Sequence, residues 1–224
     1  MYKGLTAIRT MGQKRSSFAC RIWPSCLRIY TDEHQARRIA MGSIQPRRLM
    51  TASGRPIVVR TASPEDAERV VAFVKAVAAE APYLLTTEAE VVTTSERQKQ
   101  WLQQIMDDPG KLAIVAEHDG EIIGLLDFHN GHKQRTRHQG SFGMSVKSDF
   151  RGQGVGKALL AALLDWATEH PFIEKVCLEV VADNTNALRL YQTFGFVEEG
   201  VKKNAVKIDD NTYWDLIVMA RFVK

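Results

Sequence analysis

The sequence contains few cysteines, and none of them forms a pair at metal-binding spacing. Its three cysteines, Cys20, Cys26 and Cys177, are too few and too scattered for a disulfide framework. No CxxC pair of the kind that binds zinc is present. This scarcity favours a reducing, intracellular compartment, and we expect a cytoplasmic protein that works without a metal.

Long hydrophobic runs are also missing. No stretch approaches the roughly 18 to 20 apolar residues that a membrane helix needs, and no basic segment leads into the apolar core of a secretory signal. We therefore expect a soluble protein without a membrane partner. The 224 residues, 45% of them hydrophobic, are enough for one sizeable domain and an appendage.

Positive charge is concentrated at the beginning of the chain. Residues 1–54 hold ten Lys or Arg and two acids, so the other 170 residues hold 20 basic and 24 acidic residues, a net charge of −4. A nucleic-acid-binding domain normally carries a basic face on its folded part. We therefore expect no nucleic-acid partner for the main body of the protein, which leaves a basic tail as the one possible site for such contact.

The first 54 residues are rich in Arg and Ser and show little apolar periodicity. We expect residues 1–54 to form a disordered basic extension and residues 55–224 to form the folded domain. A transit-like or anchoring segment is the alternative interpretation, which the acids Asp32 and Glu33 weaken.

From Pro56 onwards, strand-like and helix-like patterns alternate in the order βααβββαβαββ. Ser63 followed by Pro64 predicts the start of a helix, and Asp119-Gly120 predicts a hairpin turn. The apolar residues of one helix share a face: Val155, Ala158, Leu159, Ala162, Leu163, Trp166 and Ala167. The sequence predicts a single α+β domain with a mixed central β-sheet flanked by helices.

The segment "RGQGVG", residues 151–156, lies between a predicted strand and this helix. It fails the Rossmann pattern because Lys157 stands where the third glycine should be. It also fails the Walker pattern, which would need a glycine at Arg151 and a Ser or Thr at Ala158. A loop with three alternating glycines can still direct backbone N–H groups and a helix N-terminus at one anion, which suits a diphosphate without a metal. The plain alternative is a turn that only reverses the chain.

Two motifs in the correct order resemble the GNAT superfamily of N-acetyltransferases. "RGQGVG" is similar to the family's acetyl-CoA pyrophosphate loop. "LEVVADNTNALRLYQTFGFVEEG" looks like its next block, and "YWDLIVMAR" like its final strand. The resemblance covers roughly residues 56–223. It implies a GNAT-like fold, acetyl-CoA as the cosubstrate and no metal.

The resemblance also implies positions for the cosubstrate. The strand before the loop would splay open so that its backbone, near Met144, Ser145 and Val146, accepts the pantetheine amides. The pyrophosphate would be held by the loop residues Arg151, Gly152, Gln153, Gly154, Val155, Gly156 and Lys157. Asn184 would contact the pantetheine arm or cap the short helix that follows it, and the two roles are compatible.

Acetyl transfer requires a neutral amine, stabilisation of an oxyanion and a proton for the departing thiolate. Tyr191 matches the family's general acid, although a tyrosine on this helical face is also suited to the core. Glu179 is the candidate general base; its alternative role is an ion pair with a neighbouring basic residue. His129 and His138 are weaker candidates for the base, and water can serve instead.

The acceptor amine is expected to bind at "EAPYLLTTEAE", the segment between the first two helices. Glu80, Glu88 and Glu90 would suit a cationic amine, with Tyr83 and Leu84 as an apolar wall. We therefore assign Glu80, Tyr83 and Leu84 to substrate binding, although an exposed helix connection is often acidic for other reasons.

The sequence thus indicates an acetyl-CoA-dependent N-acetyltransferase that acts on a small primary amine, such as an amino acid, by direct attack in a ternary complex. One alternative is a protein or peptide N-terminal acetyltransferase, and another is a non-catalytic acetyl-CoA sensor. A magnesium-dependent nucleotide enzyme is a third. A homodimer is suggested only by analogy with the family.

Overall fold

The computed structural model describes residues 42–224, which form eight strands and four α-helices. The strands are β1 (Arg47–Met50), β2 (Pro56–Thr61), β3 (Lys111–His118), β4 (Glu121–Asn130), β5 (Gln139–Val146), β6 (Lys175–Val181), β7 (Val197–Lys207) and β8 (Tyr213–Phe222). The helices are α1 (Ala67–Glu80), α2 (Ser95–Asp107), α3 (Val155–Glu169) and α4 (Thr185–Thr193). From β2 onwards this order agrees with the sequence prediction.

All eight strands belong to one sheet in the order β1-β2-β3-β4-β5-β6-β8-β7. Neighbouring strands are antiparallel except β5 and β6, which are parallel and are connected through α3. The sheet is therefore mixed, and the predicted α+β class with a central mixed sheet is confirmed.

Helices cover both faces of the sheet, because the strands of its centre are apolar on both sides. On β3, Leu112 and Ile114 pack in one cluster with Leu159 and Leu163 of α3. Ala113 and Val115 alternate with them and pack in a second cluster that contains residues of α1 and α2, among them Val70, Phe73, Leu102 and Ile105. The apolar face predicted for α3 is buried as expected, apart from the partly buried Ala158.

The predicted helix start at Ser63-Pro64 and the predicted hairpin turn at Asp119-Gly120 are both present, but the helix starts later than predicted. Ser63 donates its backbone N–H to the Asp66 carboxylate at 2.8 Å, and a short 3-10 turn over Pro64–Asp66 precedes α1. The helix itself therefore begins at Ala67, later than Pro64. At the predicted hairpin turn, Asp119 and Gly120 both have positive φ, as a two-residue turn of this kind requires.

Asp66 also belongs to a cluster of charged side chains that includes Arg60, Arg69 and Glu117. Its side chain is 1% exposed and accepts hydrogen bonds from Arg60, at 2.7 and 2.8 Å, and from Arg69. Burial opposes ionisation of the carboxyl, but the hydrogen bonds from Arg60 and Ser63 outweigh it and lower the pKa of Asp66 to about 2. Arg60 also pairs with Glu117 of β3 at 2.7 Å.

The predicted boundary at residue 55 is too late. Arg47–Met50 form β1, which pairs with β2 in antiparallel register from Arg47 opposite Val59 to Met50 opposite Pro56. This strand escapes recognition from the sequence because its side chains are mostly exposed, so it has no alternation of apolar and polar residues. The rest of the predicted extension, residues 1–41, lies outside the described residues.

Candidate functional site

The parallel strands β5 and β6 separate halfway along their length. They pair only from Gln139 opposite Lys175 to Ser141 opposite Cys177. Beyond this point β5 continues to Val146, paired with β4 alone, and β6 continues to Val181, paired with β8 alone. The two diverging edges therefore carry backbone groups that no neighbouring strand satisfies, as a ligand with amide groups would require.

A cleft of about 760 Å³ opens at this divergence. The predicted site residues that line it are Tyr83, Leu84, Met144, Ser145, Val146, Arg151, Gly152, Gly154, Gly156, Lys157, Glu179, Asn184 and Tyr191. Gln153, Val155 and Glu80 do not line it. One cavity thus brings together the glycine loop, the candidate acid, the candidate base and the predicted acceptor wall.

The glycine loop makes a tight turn into α3. Gly152 and Gly154 have φ of +72° and +93°, a conformation that side chains with a Cβ rarely adopt, and Gly154 is the residue that caps α3. A Cβ at either glycine would meet no atom within 4 Å, so backbone conformation and not crowding by the protein requires them. No acid lies in the first turn of α3, so its positive end faces the cleft without a neutralising charge.

Arg151 and Glu80 contact each other at the base of this loop. Arg151 donates from Nε to the carbonyl of Val146 at 2.9 Å, and its guanidinium lies 3.5 Å from Glu80. Glu80 also accepts hydrogen bonds from the hydroxyl of Ser148 at 2.6 Å and from its backbone N–H at 2.7 Å. The hydrogen bond from the Ser148 hydroxyl is the main cause of the lowered pKa of Glu80. The carboxylate of Glu80 therefore stabilises the loop. It does not line the cleft, as the predicted role in binding the acceptor amine would require.

Gln153 and Val155 point away from the cleft for different reasons. The side chain of Gln153 accepts a hydrogen bond from Ser53 at 2.5 Å, and its backbone carbonyl accepts one from Ala52 at 3.0 Å. Val155 is 0% exposed and packs in the core cluster beneath α3. The side chains of these two residues are therefore not available to an anion in the cleft.

The turn between β1 and β2 contacts the glycine loop, an arrangement that sequence reasoning did not predict. Besides the contacts of Ala52 and Ser53, the guanidinium of Arg55 lies 4.9 Å above the ring of Phe150, which lines the cleft. The turn thus contacts the loop through residues other than those that bind Glu80. The signal is absent from the sequence because about 100 residues separate the partners.

Tyr191 lies on α4 with its ring in an aromatic cluster and its hydroxyl at the cleft. The ring packs edge-on against Phe142 and Phe196, with centroids 5.8 and 5.9 Å away. Burial raises the pKa of Tyr191 to about 12, so the phenol remains protonated at neutral pH. The hydroxyl makes no hydrogen bond with any residue from 42 to 224 and is free to donate to a ligand in the cleft.

Asn184 caps the same helix, since its side-chain oxygen accepts the backbone N–H of Ala187 at 3.2 Å. It also lines the cleft, so the structure is consistent with both predicted roles.

Glu179 lies on the open edge of β6 and forms an ion pair. Its Oε1 is 2.5 Å from Nζ of Lys202 on β7, the alternative that the sequence left open without naming the partner. Neither histidine candidate lines the cleft. His129 instead lies 3.0 Å from Asp127, and the backbone carbonyl of His138 accepts the amide of Glu174 at 2.7 Å.

Tyr83 lies in the segment after α1 and lines the cleft. Its hydroxyl donates to the carbonyl of Asp183 at 3.3 Å, and its ring packs against Trp214 of β8 with centroids 5.6 Å apart. Leu84 beside it packs on the α1 and α2 cluster. Trp214 is a further contact that the sequence did not indicate.

Two further observations concern residues 42–224 as a whole. No helix in this range has the length and apolar character needed to span a bilayer. The same range holds no group of three or more His, Cys, Asp or Glu side chains arranged to bind a metal ion.

Comparison with known proteins agrees with this geometry. Residues 66–196 match the Acetyltransferase (GNAT) family. The chain is 31% identical over 122 residues to the L-amino acid N-acetyltransferase AaaT of Escherichia coli (strain K12), a match that covers 54% of this chain and 74% of the relative. It is 37% identical over 79 residues to the [ribosomal protein bS18]-alanine N-acetyltransferase of the same organism, covering 35% of this chain and only 52% of that relative.

Among solved structures, a GNAT acetyltransferase from Streptococcus pneumoniae superposes with a TM-score of 0.72 at 26% identity, covering 75% of this chain and 99% of the other. The family match spans more than half of the chain and includes both α1 and the glycine loop. The resemblance inferred from the two motifs is thereby confirmed: this protein is a member of the GNAT family of acetyltransferases.

Proposed function

We propose that this protein transfers an acetyl group from acetyl-CoA to the primary amine of a small molecule such as an amino acid, by direct attack in a ternary complex. The single observation that carries the proposal is the arrangement of the cleft. The glycine loop and the α3 N-terminus lie along one part of it, and Tyr191 lines the same cleft beside the point where β5 and β6 separate.

The residues present fit the cosubstrate. The positive end of α3 and the cations Arg151 and Lys157 suit a pyrophosphate, and the positive φ of Gly152 and Gly154 allows backbone N–H groups to turn towards it. The unpaired edge of β5, over Met144, Ser145 and Val146, suits the amides of the pantetheine arm. When bound, acetyl-CoA supplies an acetyl group activated as a thioester.

Protons have identifiable donors and acceptors in the cleft. A C–N bond forms as the C–S bond breaks, and the phenol of Tyr191 supplies the proton that the departing sulfur takes up. Glu179, or a water molecule held by it, accepts the proton lost by the amine. The mechanism uses no covalent intermediate with the protein, so no nucleophilic side chain is required.

The acceptor enters beside Tyr83 and Leu84. Among the described residues that line the cleft, Glu179 is the only carboxylate, which supports an amine with one positive charge at this end. The relative AaaT, named as an L-amino acid N-acetyltransferase, supports an amino acid as the acceptor.

A second candidate is acetylation of a protein N-terminus, favoured by the match to the ribosomal-protein enzyme. A catalytically silent sensor is disfavoured because Tyr191 has an unpaired hydroxyl at the cleft, which a purely binding module would not need.

The test is release of free thiol from acetyl-CoA by the purified full-length protein in the presence of amino acids, polyamines, aminoglycosides and short peptides, with calorimetric titration of acetyl-CoA in parallel. We expect binding and turnover with amino acids, both unaffected by EDTA. Turnover confined to peptides would favour the second candidate, binding without turnover the sensor, and absence of binding would refute the proposal.

A further inference from the structure

Two opposite charges, on Glu179 and Lys202, lie side by side on one face of the sheet. On β6, Leu178 and Val180 pack in the same core cluster as Tyr191, so Glu179, which alternates with them, points to the other face. That face is the one covered further along the sheet by α1 and α2. Glu179 and Tyr191 therefore approach the gap between β5 and β6 from opposite sides.

Lys202 emerges on the same face as Glu179. In β8, Leu216 pairs with Val181 on one side and with Lys202 on the other, and directly opposed residues of antiparallel strands point to one face. The lysine then reaches over β8 to place Nζ 2.5 Å from the Glu179 carboxylate. Lys202 does not itself line the cleft, but its ammonium group contacts the carboxylate of Glu179, which does.

This ion pair contributes little to the fold. The side chains of Lys202 and Glu179 are 54% and 42% exposed, and exposed pairs of this kind stabilise proteins by about 0–1 kcal/mol. Opening it costs correspondingly little. A ligand with one positive and one negative charge can replace the single ion pair by two, with each protein charge still matched.

We propose that Lys202 is a specificity-determining residue that binds the α-carboxylate of a free amino acid while Glu179 binds its α-amine. This inference rests on the proposed acetyltransferase function and names its substrate class. In an α-amino acid the two charged groups are on one carbon, so they can face an adjacent Nζ and Oε1 together.

The same pair of charges disfavours the other acceptor classes. A peptide N-terminus has an amide where the α-carboxylate would be and leaves Lys202 with only a neutral partner. A polyamine brings a second cation towards Lys202 and is repelled by it. The selection is therefore made by charge and does not depend on the amino acid's side chain.

The experiment compares free L-amino acids with their α-amides, which differ only at the carboxylate. The measured quantity is the ratio of kcat/KM for an amino acid to kcat/KM for its amide. The amino acid and its amide differ in the basicity of their amines, but this difference is the same for every variant. It therefore cancels when the ratio of one variant is compared with that of another. We expect Lys202→Met to lower the ratio by about ten- to a hundredfold, the effect of a charge-assisted hydrogen bond, and Lys202→Arg to restore most of it.

Lys203→Met is the matched control. Lys203 is the next residue on β7 and also forms an exposed ion pair, with Asp215 at 2.8 Å. Unlike Glu179, Asp215 does not line the cleft. We expect its ratio to equal that of the unaltered protein. Thermal unfolding and acetyl-CoA affinity of all three variants show whether each one is folded.

The outcomes separate this inference from the proposed function. If the unaltered protein turns over amino acids and amides equally, or if Lys202→Met keeps the full ratio, the role of Lys202 is refuted and acetyl transfer still stands. If the unaltered protein transfers acetyl to neither, the proposed function itself fails.

Discussion

The hydroxyl of Ser53 lies 2.5 Å from Oε1 of Gln153, and this hydrogen bond joins the turn after β1 to the glycine loop. Gln153 in turn donates from its side-chain amide to the carbonyl of Asp149, two residues before Arg151. A residue assigned by its sequence to a disordered extension therefore helps to fix the backbone that is proposed to bind the pyrophosphate.

Ser53→Ala should weaken acetyl-CoA binding by about two- to tenfold, because it removes one neutral hydrogen bond that holds the loop. We expect KM for acetyl-CoA to rise while kcat changes little, since Tyr191 and Glu179 lie elsewhere in the cleft. Thr136→Ala removes another surface hydroxyl, bonded to the Lys133 carbonyl at 3.2 Å, and is the control. Equal affinity in Ser53→Ala and the unaltered protein would show that the turn is not needed for loop geometry.

Substitution of Glu80 distinguishes its two possible roles, which are binding the acceptor amine, as the sequence suggested, and supporting the glycine loop, as the structure suggests. If Glu80 braces the loop through Ser148, Glu80→Ala should raise KM for acetyl-CoA about tenfold and leave KM for the amine unchanged, because charge-assisted hydrogen bonds are stronger than neutral ones. Steady-state kinetics with each substrate varied in turn measures both. Glu68→Ala, at an exposed position of α1, is the control. A rise confined to KM for the amine would restore the acceptor role.

Tyr191→Phe should lower kcat at least about a hundredfold with acetyl-CoA affinity retained, because the ring keeps its packing and only the proton donor is lost. Because the pKa of Tyr191 is raised to about 12, its phenol stays protonated, and it should cause no loss of kcat between pH 7 and about 10 in the unaltered protein. Tyr213→Phe, at an exposed tyrosine of β8, controls for the loss of a hydroxyl. An unchanged kcat in Tyr191→Phe would exclude the phenol as general acid.

Asp66 should make stability depend on acid pH. Its pKa is lowered from 3.8 to about 2 in the folded protein, so its contribution is fully present above about pH 4 and is lost as the pH falls towards 2. The size of this contribution is about 2 kcal/mol. Denaturant unfolding at several pH values between 2 and 5 measures it.

Asp66→Asn should remove that pH dependence and cost about 3 kcal/mol or more at pH 7, since Arg60 and Arg69 then lose their buried partner. The exposed pair of Asp210 with Lys207 provides the control Asp210→Asn, which should be nearly neutral. A small effect at Asp66 would mean that Glu117 alone can hold both arginines.

The sequence predicted the parts of the site that depend on local backbone. The glycines of the loop, the turn at Asp119 and the cap at Asn184 are each specified by neighbouring residues, and all lie where they were expected. Contacts between distant elements were not predictable. The partner of Glu179 depends on the register of β7, which shifts at a bulge between Glu198 and Gly200 and again between Lys202 and Val206.

The short first strand has a consequence for the solution behaviour of the protein. Without it, β2 would form the edge of the sheet, with the buried side chains of Ile57 and Val59 beside a row of unsatisfied backbone groups. Such an edge can be extended by a strand from another molecule. β1 closes it with four residues, two of which, Arg47 and Arg48, are charged and oppose further strand addition. A version of the protein trimmed to begin at residue 55 is therefore expected to aggregate, whereas one that begins before Arg47 should stay monodisperse.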